Sequence, residues 1–211
     1  MRFFFYPRKY FGISEGKFSG ACFAIRKIRK MQNNIFYITG RGGDYQSGLG
    51  EYLNTKTYNL NGLSLTDTFL KKELEIQLDI ISKVIIKAEH KKSLFVANSY
   101  GAYLLLYTIL LREIRLSKLV IISPILGSGY TENRYFKPPF SRHMSALMLK
   151  SKHELFKHLV IIWGARDAFI NRNAIQKLLA TASEVELVMI DEQGHNIDKS
   201  KLAMTLDRIL R

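Results

Sequence analysis

The sequence predicts an α/β domain in which a mostly parallel sheet is covered by helices on both faces. Three observations carry this. Apolar, β-branched segments short enough to be strands alternate along the chain with longer segments of helical period, the pattern of parallel strands joined by helical crossovers. Within residues 93–111 a short apolar run stops at Ser99, and a second one, too long for a strand, begins at once. The 211 residues, 47% of them hydrophobic, suffice for one well-buried core, while no apolar run approaches the ~18 residues needed to cross a bilayer. A single domain over 1–211 is expected, with a basic N-terminal segment at 1–30 and an insertion at 127–155.

Phe3, Phe4 and Phe5 form a first strand candidate ended by Pro7; this apolar block is too short for a signal peptide and lacks a small-residue cleavage site. Residues 17–31 admit two readings. Phe18, Ala21, Cys22, Ile25, Ile28 and Met31 recur at helical spacing opposite Arg26, Lys27, Arg29 and Lys30, as in a basic amphipathic helix, yet 21–26 also reads as a strand. Residues 34–39 are β-branched and aromatic and predict a strand that runs into Gly40-Arg41-Gly42-Gly43-Asp44. A glycine-rich loop there can turn backbone N–H groups inward to hold an anion, although neither phosphate-loop glycine pattern is present. A short strand is expected at 56–60, followed by a turn at Asn61-Gly62.

From 67 to 89 the residues Leu70, Leu74, Leu78, Ile81, Val84, Ile85 and Ala88 share one helical face, and Asp67 stands as an N-cap. Further strands are expected at 118–122, 159–163 and 186–190, and a final helix at 199–210 capped by Asp198. The connection between Ser123 and Leu159 is long and holds Tyr130, Tyr135, Phe136 and Phe140, with a helix near 141–149 and a Ser151-x-x-Glu154 capping box. Loops of that length are functional or disordered, and aromatics argue against disorder, so a lid over a substrate pocket is expected.

The net charge is +14, and half of it falls in residues 1–30, where eight Lys or Arg face the single acid Glu15. Such a surface favours an anionic substrate group or an acidic membrane surface; a solvated basic face is the plainer account. No nucleic-acid module is recognisable, and nucleic acid is not an expected partner. Cys22 is the only cysteine, so no internal disulfide forms and a reducing, cytoplasmic setting is expected. Five scattered histidines and one cysteine offer no ligand pair, so neither a metal nor a cofactor is expected.

The stretch Ala97-Asn98-Ser99-Tyr100-Gly101, set between strand and helix, resembles the nucleophile elbow of the α/β-hydrolases, Gly-x-Ser-x-Gly, with Ala97 in place of the first glycine. That resemblance implies a Ser-His-Asp triad. Gly194-His195, just after the last predicted strand, matches the family's histidine loop, and Gly164-Ala165-Arg166-Asp167 is similar to its Gly-x-x-Asp. Ser99, Asp167 and His195 then follow the family's chain order, all at strand ends, with Asp191 and Asp198 as rival acids. By the same resemblance the backbone N–H groups of Arg41 and Tyr100 form the oxyanion hole, with Thr39 where many relatives carry histidine. Gly40, Arg41, Tyr130, Tyr135 and Phe136 are the expected substrate contacts. The implied reaction is hydrolysis of an ester or thioester in a small acyl substrate; a catalytically idle scaffold that binds an anionic partner is the competing reading.

Overall fold

The computed structural model describes residues 34–57, 59–89, 93–131, 134–151 and 154–210. The strand at Phe3–Phe5 and both readings of 17–31 lie outside the described residues.

Among the described residues, six parallel strands form one sheet: β1 (Ile35–Arg41), β2 (Leu60–Leu65), β3 (Leu94–Asn98), β4 (Leu116–Ile122), β7 (Phe156–Gly164) and β8 (Ala182–Ile190), in the order β2-β1-β3-β4-β7-β8. A separate hairpin, β5 (Gly129–Thr131) with β6 (Arg134–Phe136), lies between β4 and β7 in sequence. Strand residues alternate between two cores. Phe36, Ile38, Phe95, Leu119, Ile121, Leu159 and Ile161 point to one, and Ile35, Tyr37, Leu94, Val96, Val120, Val160 and Ile162 to the other. The first core is closed by α2 (Asp67–Leu70), α3 (Leu74–Glu89), α4 (Ser99–Arg112), α5 (Ser141–Lys150) and α6 (Arg172–Leu179). The second is closed by α1 (Leu49–Asn54) and α7 (Lys199–Ile209) through Leu53, Leu206 and Ile209. This is the three-layer arrangement that the alternating pattern implies.

Helix α4 is buried from Tyr100 to Leu110, so it has no solvent stripe and serves as the central pillar of its layer. The residues that begin it meet β1 so closely that a Cβ at Gly101 would lie 2.1 Å from the Thr39 carbonyl oxygen. Only glycine fits there.

Five expectations are corrected. The strand placed at 56–60 is instead β2, Leu60–Leu65, so Asn61-Gly62 is strand rather than turn. Gly62 is required because the Tyr45 side chain packs over it: a Cβ there would come within 2.5 Å of that ring. The single helix at 67–89 is two, parted at Lys71–Glu73, where the buried Gln77 side chain donates to the carbonyls of Leu70 and Lys72 at 3.3 and 2.8 Å. Its N-cap is Thr66, whose hydroxyl accepts from Phe69 N–H, not Asp67. Ser151 caps no following helix; it is the C-cap of α5, and the chain passes on into β7. By contrast Asp198 does cap α7, accepting from Ser200 and Lys201 N–H.

Candidate active site

Ser99 occupies the corner between β3 and α4 with φ of 52°, in the left-handed region that a side chain enters only when its surroundings hold it there. The neighbours do so. Ala97 is fully buried, Gly101 is pressed on β1, and the Asn98 amide oxygen accepts from the Tyr37 hydroxyl at 2.8 Å. The strained corner lifts the Ser99 side chain to the carboxyl edge of the sheet.

Two loops from the far side of that edge converge on it. Past β7 the chain turns tightly: Asp167 N–H donates to the Gly164 carbonyl at 3.0 Å, and the Asp167 carboxylate accepts from Phe169 N–H at 2.9 Å. Past β8 comes the loop bearing His195. The two are tied by Ala165 N–H to Ile190 O, 2.9 Å, and Arg166 N–H to Gln193 O, 2.8 Å. Gly164 lies under the histidine loop, since a Cβ there would sit 2.3 Å from the carbonyl oxygens of both Gln193 and Gly194.

The outcome is a continuous chain of side chains. Ser99 Oγ lies 2.8 Å from His195 Nε2, and His195 Nδ1 lies 3.0 and 3.1 Å from the two Asp167 carboxylate oxygens. The Asp167 side chain is wholly buried, a costly place for a carboxylate unless its oxygens are engaged, as they are here by an imidazole and a backbone amide. His195 retains 18% side-chain exposure, enough to face a ligand as well as the serine. The edge of Phe169 abuts the imidazole, ring centres 4.9 Å apart and planes at 73°. Of the rival acids, Asp191 is exposed in the turn after β8 and Asp198 is committed to its cap.

Other expected contacts divide. Gly40 lies against the Ser99 corner, because a Cβ there would approach Ser99 Cβ and Asn98 Nδ2 to 3.2 Å each. Arg41 is exposed and electrostatically coupled to Tyr100: burial pushes the Tyr100 hydroxyl pKa up, and the guanidinium pulls it back. Phe136 joins the site through edge-on contacts with Tyr100, 6.0 Å, and Phe169, 6.2 Å. Tyr135 is 57% exposed, and the Tyr130 side chain lies outside what the structure describes. Sequence reasoning passed over Phe169 and Tyr37; an aromatic two residues after the acid was a signal for the first, whereas Tyr37 looked like any core strand residue.

Among the described residues no cluster of His, Cys, Asp or Glu could hold a metal ion, and no helix is long and apolar enough to cross a membrane.

No protein-family model and no curated protein matches the sequence. Solved structures do match the coordinates. The chain is similar to the metagenome-derived lipolytic enzymes LipS and LipT (14% identity, 86% of this chain and 94% of that one, TM-score 0.61). It is similar to MGS-MChE2, an α/β hydrolase enzyme from the metagenome of lagoon sediments of Mar Chica, Morocco (14% identity, 84% and 90%, TM-score 0.54). It is also similar to the thioesterase domain from the curacin biosynthetic pathway (10% identity, 85% and 91%, TM-score 0.54). With its strand order, its helices on both faces and these structural neighbours, the chain has the α/β-hydrolase fold.

Proposed function

We propose that this protein is a serine hydrolase that cleaves a carboxylic ester or thioester through an acyl-enzyme. The observation that carries the reading is the 2.8 Å approach of His195 Nε2 to Ser99 Oγ, with the buried Asp167 at 3.0 Å from the other ring nitrogen. A serine hydroxyl is a weak nucleophile until a base takes its proton, and imidazole is suited to the task near neutral pH. In this reading Ser99 Oγ adds to the acyl carbonyl as its proton passes to Nε2, and the imidazolium then gives that proton to the departing alcohol or thiol. Water, deprotonated by the same nitrogen, attacks the acyl-Ser99 ester; the carboxylate is released and Ser99 regains its proton. Asp167 stays ionised throughout, holding the Nδ1–H tautomer and stabilising the transient cation.

The negative oxygen formed in each addition needs donors already in place. Tyr100 N–H, in the first turn of α4, is one. Arg41 N–H is the second: Gly42 N–H is spent on Leu65 O at 2.9 Å, facing β2, and successive strand amides point to opposite sides. Arg41 N–H is thereby directed toward the side on which Ser99 lies, beyond the last β1–β3 pair, Ile38 and Ala97. The segment from β5 through α5 serves as the lid, with Phe136 as its contribution to the acyl wall.

A fluorophosphonate probe tests this directly. Wild-type protein is expected to be labelled and Ser99→Ala protein not; folded wild-type protein that takes no label would return the chain to the reading of an idle scaffold.

A further inference from the structure

Beyond the triad, the structure holds a cavity of about 310 Å³ between the loop after β4 and helices α4, α5 and α6. We propose that this cavity receives an oxyanion carried by the substrate, a carboxylate or a phosphate, which Arg142 and Lys177 bind. The proposal rests on the serine-hydrolase reading and names the class of substrate for that site.

The lining is chemically one-sided. Arg142 and Lys177 both reach it, and no acidic residue lines it. Neither cation is in an ion pair among the described residues; the Lys177 ammonium donates to the neutral Ser145 hydroxyl at 2.8 Å, which leaves positive charge and further N–H donors unspent. Arg142 is exposed and Lys177 half-buried, and an anion held between them gains charge-assisted hydrogen bonds from both. The backbone reinforces the same sign. Helices α5 and α6 both begin at the cavity, with Ser141 and Arg142 from the first turn of one and Asn173 and Ala174 from that of the other. At α6 the Asn171 side chain accepts from Ala174 N–H at 3.1 Å, while α5 has no side-chain cap, so its first-turn N–H groups add partial positive charge to that of the side chains.

The cavity is also at a useful distance from the chemistry. Tyr103, which forms part of its wall, follows Ser99 by four residues along α4, or about 6 Å of helical rise. Ile125, another wall residue, has its N–H directed at the Ser99 carbonyl oxygen, 3.5 Å away. Asn171 and Ala174 enter from the stretch directly after Asp167 and Phe169. The cavity wall therefore lies about one turn of α4 from Ser99, and in this proposal the charged end of a ligand held on Ser99 reaches between α5 and α6.

Two substrate pairs test the proposal and separate the two sources of charge. In the first, the acyl group carries the anion: p-nitrophenyl hydrogen glutarate against p-nitrophenyl butyrate. In the second, the leaving thiol carries phosphate: butyryl-coenzyme A against the butyryl thioester of N-acetylcysteamine. For one pair, the ratio of kcat/KM for charged over uncharged substrate is expected to fall roughly tenfold in each of Arg142→Gln and Lys177→Gln, mostly through KM. Ratios unchanged for both pairs would overturn the proposal, as would equal losses on charged and uncharged substrates. If wild-type protein hydrolyses none of the four, the hydrolase reading fails separately. Calorimetric titration with glutarate and with inorganic phosphate then decides the cavity alone: binding lost in the double variant supports it, and no binding to the wild type overturns it.

Discussion

Gly164, the last residue of β7, lies directly beneath Gly194, the residue before His195, with so little space that a methyl on the first would be 2.3 Å from the carbonyl oxygen of the second. The strand that leads to the acid thus sets the height of the loop that carries the base. Gly164→Ala is expected to push the histidine loop away from the sheet and lower kcat about 100-fold, the usual result of an ångström-scale misplacement. Steady-state kinetics beside a thermal melt checks this; a loss confined to stability, with kcat intact in the folded fraction, would show that the loop has other supports.

Asp167→Asn keeps an oxygen for Phe169 N–H but presents an amide to His195 Nδ1, which favours the wrong ring tautomer. A drop in kcat of about 10⁴ is expected, with Tm little changed. Combining it with His195→Ala should cost hardly more than His195→Ala alone, because the groups act as a unit. Additive losses in the double variant would contradict the proposed division of roles.

Arg41 is proposed to act through its backbone, so its side chain is dispensable for turnover of an uncharged ester. Arg41→Ala is expected to hold kcat within about threefold, whereas Arg41→Pro, which deletes the N–H, should lose about 100- to 1,000-fold. Circular dichroism of the proline variant establishes that it folds. Equal kinetics for the two variants would remove Arg41 from the oxyanion hole.

At Asp198, hydrogen bonds from Ser200 and from Lys201 N–H hold the carboxyl pKa below its ordinary value of 3.8. A depressed pKa means that the ionised cap stabilises the folded state at pH above that value and that the contribution fades as pH falls through the lower, folded-state pKa. Asp198→Ala protein should therefore melt below wild type at pH 7, and the gap in Tm should close only at pH well under 3.8. A gap that persists unchanged in strong acid would mean that packing, not the charged cap, is what the substitution removes.

The nucleophile corner was legible because its signal is local: an apolar run too short for a helix, a serine between small residues, and an apolar run too long for a strand. His195 and Asp167 were singled out by resemblance, since Gly194-His195 and Gly164-Ala165-Arg166-Asp167 each follow a strand as in the α/β-hydrolases, and the structure brings both side chains to Ser99. What the sequence concealed depends on contacts between distant residues. Asn61-Gly62 has turn chemistry, and only the Tyr45 ring lying across Gly62 explains why it runs straight as strand. The break between α2 and α3 interrupts no hydrophobic period; it exists because Gln77 satisfies the carbonyls at the break from one turn further on. Ser151 and Glu154 have the spacing of a cap, but the residues after them join a sheet that no local pattern announces. Helices α1 and α6 were not expected at all, since each is too short for the helical period to show.

Ninety-six residues separate Ser99 from His195, and His195 hangs from β8, the edge strand of the sheet among the described residues. Ser99 follows β3, an inner strand of the sheet, while His195 belongs to the margin, where the described strands pair on one side alone. In the proposed mechanism, loosening of β8 at that margin takes His195 from Ser99 while the core around α4 is still packed. Reactivity and global integrity are therefore separable in that mechanism: a molecule whose β8 has not docked carries its Ser99 hydroxyl without the imidazole that arms it.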